Sequence, residues 1–405
     1  MTLPIFAPSL SHGWKPVGQN RVSRLIEAAE RKPQLLVLAE CASAREFSGA
    51  SAQRGFPTKG WMFCMFVVLA SYLATAHALA QAPPGFAGSV ACATCHASQS
   101  AAQSSTGHAH ALARAPDHRL RSAFPLAATE AQRAPNFRFR FDGFTARIDD
   151  GADVLAIPME WAFGSGRQAV TFVSRGNERF YLEHYLTYYS LLGKFGPTPG
   201  QAKLEPQNLA EAAGLLYPAD DPRAGIKGCF ECHSTGKIEA IVPAENGVRC
   251  EACHGPGATH VASGGKAPVV NPSRFSAVGL NQFCGRCHRP PASDPARIDW
   301  NFAWNVRHQP VYLSQSACFL KSRGKLSCLT CHAPHGSLET RVEIYDARCK
   351  ACHATAQPSS ACAQRNCAGC HMPRVSPEPP LRFTNHWIGV YGTAGSKLKP
   401  ARSPN

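Results

Sequence analysis

The chain has 405 residues, 18 of them Cys and 17 His, with a formal charge of +15 but only 17 % charged residues. A hydrophobic share of 44 % excludes a disordered chain, and the lack of an apolar run of about 20 residues beyond the N-terminal region excludes a polytopic membrane protein. Lys and Arg are scattered, with no run of four and no interleaved aromatic motif, so the charge predicts no nucleic-acid partner and calls for another counter-ion.

In chain order, residues 61–82 come first: an apolar core runs into small residues, with Ala78-Leu79-Ala80 or Ala80-Gln81-Ala82 as an A-x-A cleavage site. Residues 61–80 therefore read as a signal peptide. Export signals begin near the initiator, so residues 1–60 read as a leader of doubtful translation, with the true start downstream of Met1. Cys41 and Cys64 leave with this part, and the 16 remaining Cys are an even number destined for an oxidising compartment, periplasmic or extracellular.

The next element is Cys92-Ala-Thr-Cys95-His96. An Ala/Gln-rich stretch, Ala97 to Ala113, follows and predicts a helix carrying His108 and His110. Phe137, Phe139 and Phe141 then alternate with Arg138 and Arg140, as on a strand with one buried face. Asp142-Gly143 predicts a hairpin into Phe144, Ala146 and Ile148, and Ala169–Ser174 with Arg179–Tyr189 predict a second strand pair around Arg175-Gly176-Asn177. Tyr181, Tyr185, Tyr188 and Tyr189 read as packing residues here, not redox relays.

The C-x-x-C-H pattern of Cys92, Cys95 and His96 recurs at Cys229, Cys232 and His233; Cys250, Cys253 and His254; Cys284, Cys287 and His288; Cys328, Cys331 and His332; Cys349, Cys352 and His353; and Cys367, Cys370 and His371. The chain's own Cys and His frequencies supply roughly 0.03 copies by chance, so seven specify covalent attachment of seven c-type haems. Two thiols add across the haem vinyl groups, and the adjacent His reaches the iron from the same side. Zinc ribbons or disulfides would not need His after every second Cys. Cys318 and Cys362 are left over and read as a structural disulfide, with a thiol ligand or a free reactive pair as the alternative.

Cys92 and Cys229 lie 137 positions apart, whereas later motifs start 21, 34, 44, 21 and 18 positions apart. This divides the chain into residues 81–220, the first motif plus a β-rich segment, and residues 221–392, a six-haem region, followed by a disordered Lys- and Pro-rich tail, 393–405. Gly255-Pro-Gly, Pro290-Pro291 and Pro334-His-Gly break long helices in the six-haem region. The expected fold is mainly α with little regular structure: short helices wrapped around stacked haems, plus a small antiparallel β insertion between the first and second motifs.

Beyond the seven proximal His, the part after the signal offers His108, His110, His118, His184, His260, His308, His335 and His386 as sixth ligands, eight for at most seven irons. Met372 directly follows its own proximal His, so only Met159 could supply a thioether. Mostly bis-His, low-potential haems follow. Residues 1–80 hold eight Lys or Arg and four Asp or Glu, so +11 of the +15 remains on the rest of the chain. Seven haems bring about fourteen propionate charges, which makes the basic residues their counter-ions.

With these residues in view, the chain resembles the multihaem c-type cytochrome superfamily, related to hydroxylamine oxidoreductase and its tetrahaem electron-accepting partner. The resemblance covers roughly residues 86–392. It rests on Gly88-Ser-Val-Ala-Cys92, Phe163-Gly-Ser-Gly166, Gly247-Val-Arg-Cys-Glu-Ala-Cys-His-Gly-Pro-Gly257, Cys331-His-Ala-Pro-His335, Cys370-His-Met-Pro373 and Phe383-Thr-Asn-His386-Trp387. It implies His108, His260, His335 and His386 as distal ligands to haems attached elsewhere in the chain, with His184, His308 and His118 next in order, and it pairs Cys318 with Cys362.

The expected function is an exported heptahaem electron relay, taking electrons from a redox protein or a quinol-oxidising donor and passing them to an acceptor, and not an integral membrane protein after signal cleavage. A haem-based oxidoreductase acting on a small nitrogen or sulfur compound needs one open iron. All seven motifs end in His, which places that reading second, and a subunit of an extracellular cytochrome filament third.

Overall fold

The computed structural model describes residues 85–126, 131–133, 136–176, 179–219, 225–236, 243–354, 365–392 and 398–400. The expected leader and signal, the turn at Asn177, Cys362 and most of the tail lie outside these residues. Two short helices come first, α1 (Ser89–Ala93) and α2 (Ala97–Ser104). The helix expected to continue to Ala113 stops at Ser104. There the hydroxyls of Ser104, Ser105 and Thr106 donate to the carbonyls of Ala101, Ala102 and Gln103 at 2.7–2.8 Å, engaging backbone groups the helix would otherwise use. Leu112–Arg114 forms strand β1 instead.

Strands β2 (Ala131–Arg133), β3 (Phe137–Asp142), β4 (Thr145–Asp149) and β5 (Val154–Pro158) make an antiparallel sheet in sequence order. In β3 the three Phe are buried and Arg138, Arg140 and Asp142 exposed, the alternation legible in the sequence. Asp142 pairs with Thr145 across a two-residue turn of Gly143 and Phe144, where Gly143 takes φ 53°.

A second antiparallel sheet has the order β1, β6 (Trp161–Phe163), β7 (Ala169–Arg175), β8 (Phe180–Tyr189), β10 (Gly214–Pro218), with β9 (Lys194–Pro197) also on β8; helix α3 (Leu209–Ala213) precedes β10. The two sheets share one core. Phe139 meets Tyr185 at 5.6 Å and Phe141 stacks on Phe195 at 4.5 Å, around Ile148, Val170, Phe172 and Tyr188. Each such side chain contributes about 2 kcal/mol by leaving water. Met159 is buried in the same core, which removes it from the candidate iron ligands.

The expectation of a mainly helical chain is therefore corrected. Among the described residues there are fourteen strands in four antiparallel sheets. The long stretch between the first two motifs is polypeptide enough to bury its own two-layer core, so it does not need to wrap a cofactor.

Beyond it the elements are short: α4 (Lys227–His233), the pair β11 (Ser234–Thr235) and β12 (Glu245–Asn246), α5 (Cys250–His254), α6 (Ala258–Ala262), α7 (Ala277–His288), α8 (Gln309–Leu313), α9 (Ala317–Lys321), α10 (Cys328–Cys331), α11 (Val342–His353), α12 (Cys367–His371) and the hairpin β13 (Arg374–Val375) with β14 (Phe383–Thr384). Among the described residues no helix is long and apolar enough to cross a membrane. Phe230 of α4 inserts between Trp161 and Phe163, at 5.2 and 4.9 Å, and docks the second motif on the larger sheet.

Candidate functional site

Each C-x-x-C-H run sits on or at the end of one short helix, and in α4, α5, α7, α11 and α12 its His is the last helical residue. One helical turn puts both thiols and the imidazole on the same side. All fourteen motif cysteines are free thiols. The pairing of Cys318 with Cys362 falls outside the described residues.

What holds these helices together is a set of buried polar clamps that the sequence did not reveal. Glu251, the first spacer of the third motif, is 4 % exposed and accepts the N–H groups of Ala87, Gly88 and Gly257 at 2.7–2.8 Å, fastening α1 of the first motif to α5. Asn281 of α7 accepts the Cys328 N–H at 3.2 Å, fastening the fifth motif to the fourth. Asp346 of α11 accepts the N–H groups of Asn366 and Cys367 at 2.6 and 2.8 Å, fastening the seventh to the sixth. Burial raises the Asp346 pKa, but these amides outweigh it and hold the carboxyl below its usual range. In each case the polar group meets the unsatisfied amides at the start of a motif helix. Glu251→Ala leaves three amides without their acceptor and is expected to lower stability by about 3 kcal/mol, measured by thermal unfolding of the loaded protein, with Glu251→Gln losing less.

The imidazoles come together in pairs. His96 and His260 are stacked with ring centroids 6.4 Å apart and planes 16° from parallel; His254 and His335 lie 6.0 Å apart at 22°, His332 and His386 6.3 Å at 38°, and His108 and His288 6.1 Å at 69°. Each pair joins one motif His to one His outside the motifs. An iron bound by two imidazoles at about 2 Å on opposite faces sets ring centroids roughly 6.3 Å apart, so every pair has room for one iron.

Backbone and side-chain acceptors set the tautomers. The Nδ1–H of His254 donates to Val270 O, that of His260 to Ala267 O and that of His386 to Thr384 O, at 2.7–3.0 Å, while His288 donates to Gln309 Oε1 at 3.1 Å. Each Nε2 thereby keeps its lone pair for a metal. Burial holds His108, His288, His332 and His335 below the ordinary imidazole range and His386 at about 4, so these rings are neutral at pH 7. Gly247 allows His108 to be placed: its φ is 80°, a Cβ there would come 2.1 Å from Ala109 O, and the next residue, Val248, donates to His108 O at 2.8 Å.

Three of the other four candidates, His118, His184 and His308, differ. His118 uses both ring nitrogens, with Nδ1 accepting from the Leu120 N–H at 3.1 Å and Nε2 donating to Gly164 O at 3.0 Å, so it has no lone pair for iron. Phe163-Gly-Ser-Gly166 thus serves to seat His118. His184 lies inside β8 with its Nε2 2.5 Å from Ser174 Oγ, and burial pushes its pKa down to about 3. His308 lies beside Asn305 Oδ1 and Arg289 Nη1, at 3.2 and 3.4 Å from its Nδ1. His233 and His371 donate from Nδ1 to Ala111 O and Gly389 O, at 3.0 and 2.9 Å. Among the described residues His233, His353 and His371 have no second imidazole stacked opposite them.

Two solved structures match part of the chain. Outer cell wall cytochrome OcwA matches with 20 % identity and a TM-score of 0.33, covering 50 % of this chain and 37 % of that one. An undecahaem cytochrome from the S-layer of Carboxydothermus ferrireducens matches with 18 % identity and a TM-score of 0.37, covering 69 % and 44 %. The family model of cytochrome c554 and c-prime matches residues 202–255, the stretch holding the second and third motifs. Over 182 residues the chain is 26 % identical to multihaem cytochrome MtrA of Shewanella baltica (strain OS185), a match covering 38 % of this chain and 47 % of that protein. The chain is a multihaem c-type cytochrome.

The cytochrome spans about half the length of that relative. Its own residues fit covalently bound haem c: free paired thiols, the adjacent motif His, and imidazole pairs at iron-spanning distance. Among the described residues, two buried donors near His386, Tyr312 Oη and Trp387 Nε1, have no hydrogen-bond partner, and their rings lie 6.2 Å apart. A propionate oxygen is the kind of acceptor such donors require. When bound, haem would supply one-electron redox chemistry; the motif thiols would attach it, and the Nδ1–H bonds orient the imidazoles that would hold its iron.

Proposed function

We propose that this chain is an exported electron relay carrying seven haems c, one on each C-x-x-C-H motif. The observation that carries this reading is the set of four imidazole pairs, each matching a motif His to a His elsewhere in the chain. In this reading His260, His108, His335 and His386 are the distal ligands of the first, fourth, third and fifth haems. Iron already held on both faces exchanges electrons without binding substrate.

Thiol contacts support an order for the relay. Cys92 adjoins Cys250, Cys232 adjoins Cys287, Cys284 adjoins Cys328 and Cys349 adjoins Cys367. Arg286 of the fourth motif donates to Ala252 O of the third at 3.4 Å, and α10 packs on α11. Macrocycles on such neighbours run from the first motif through the third, fourth, fifth and sixth to the seventh, with the second as a branch at the fourth. Export rests on the apolar segment with its A-x-A site and on the number of thiols. Redox proteins are the expected donor and acceptor.

A second reading, an oxidoreductase with one open haem, is favoured by the single imidazoles His233, His353 and His371. One experiment separates the two. Intact mass gives the haem number, expected to be seven, and a low-temperature paramagnetic resonance spectrum of the oxidised protein gives the spin states. Low-spin iron throughout supports the relay, whereas a high-spin signal shifted by nitrite or hydroxylamine transfers the conclusion to the oxidoreductase.

A further inference from the structure

We infer that a basic cleft beside the last motifs is the face on which an acidic redox protein docks to exchange electrons, an inference that rests on the relay reading. The cleft, about 890 Å³, lies between the turn joining β8 to β9 and the β13–β14 hairpin, and Arg167, Arg374 and Arg382 line it together with Leu191 and Leu192. All three Arg are exposed, and among the described residues none of the three guanidinium groups meets a carboxylate. The acids near its rim are engaged elsewhere: Glu339 pairs with Arg341 at 2.6 Å, and Glu378 accepts the Gly200 N–H at 3.1 Å. The two sides are tied, since the Arg382 N–H donates to Gln168 Oε1 at 2.7 Å.

Leu191 and Leu192 are 62 % and 49 % exposed at the tip of their turn. An exposed apolar tip ringed by unpaired cations suits a brief encounter with a partner that carries carboxylates around its own redox centre. The position suits electron exchange as well. Arg374 is the third residue after His371, and Thr340, on the cleft wall, leads into α11, whose Tyr345 packs edge-on against His332 at 6.1 Å. The fifth, sixth and seventh motifs therefore all approach this cleft, at the end of the proposed haem order.

The test uses the full haem-loaded protein, the double variant Arg374→Glu/Arg382→Glu, and a β3 control, Arg138→Glu/Arg140→Glu on the outer face of that strand, as a matched charge change elsewhere. Flavodoxin hydroquinone, a small acidic reductant, is the probe, and its reduction of each protein is followed by stopped flow from low to high salt. The double variant is expected to react about tenfold more slowly at low salt and to lose most of its salt dependence, while the β3 control follows the parent. Haem content and the midpoint titration should not change in either. Equal rates for parent and double variant overturn the inference. So does a shifted titration or lost haem in the double variant, because the guanidinium groups would then be serving the protein's own propionates. Failure of the relay reading looks different: the parent itself would carry no haem or take up no electrons from dithionite.

Discussion

Replacing His260 with alanine is expected to turn one iron per molecule from low spin to high spin and leave the others as they were. His260 stands 6.4 Å from His96 with nearly parallel planes, and its Nδ1–H bond to Ala267 O points the Nε2 lone pair away from the backbone. Removing the ring takes away one of two strong-field ligands and opens one axial position. The same substitution at His108, His335 or His386 should each produce one high-spin iron. His118→Ala and His184→Ala should produce none, because His118 spends both ring nitrogens on Leu120 N–H and Gly164 O, and His184 is buried inside β8 with its Nε2 against Ser174 Oγ; these two cost about 1–3 kcal/mol of stability instead. His260→Met should keep the iron low spin and raise the potential of that haem, on the order of 100 mV. Paramagnetic resonance and a redox titration of each variant check the series, and a high-spin signal from His184→Ala would sink the assignment.

Chain made without haem attachment is expected to keep the two sheets and lose the motif helices. The sheets share a core of Phe137, Phe139, Phe141, Ile148, Val170, Phe172, Tyr185, Tyr188 and Phe195, all at most 8 % exposed, whereas the cluster beyond the fourth motif consists of Val311, Tyr312 and Trp387. Helices of four or five residues such as α6, α9, α10 and α12 bury no side chain of their own fully and lie far below the length at which a helix persists alone. Limited proteolysis of the haem-free chain should therefore leave a fragment beginning near Leu112 and ending near Ala219, with residues 225–392 digested. A resistant fragment spanning the motifs would show that the polypeptide supplies its own core there. Loaded protein should resist cleavage throughout the motif region.

The attachment sites were legible because each is local: two thiols and an imidazole five positions long need no tertiary context to be recognised. The strand at Phe137–Asp142 was legible for the same reason, since one face is buried and the other wet. Trp161–Phe163 carries no alternation because all three residues are buried, and that hid part of the β region, whereas Phe180–Tyr189, also covered on both faces, was legible as a strand from its β-branched and aromatic residues. The premature end of α2 was hidden in Ser and Thr hydroxyls that compete for backbone partners. Glu251, Asn281 and Asp346 left no signal beyond a polar residue in or near a motif, because their acceptor role depends on which amides are brought to them.

Sequence alone determined what chemistry this protein carries, through contiguous residue types that bond to haem. Tertiary structure alone decided which imidazole faces which, as with His108 opposite His288 and His386 opposite His332, and which candidates were spent on the protein itself. The physical reason is that a lone pair is free or taken according to neighbours distant in the chain, and only folding supplies those neighbours.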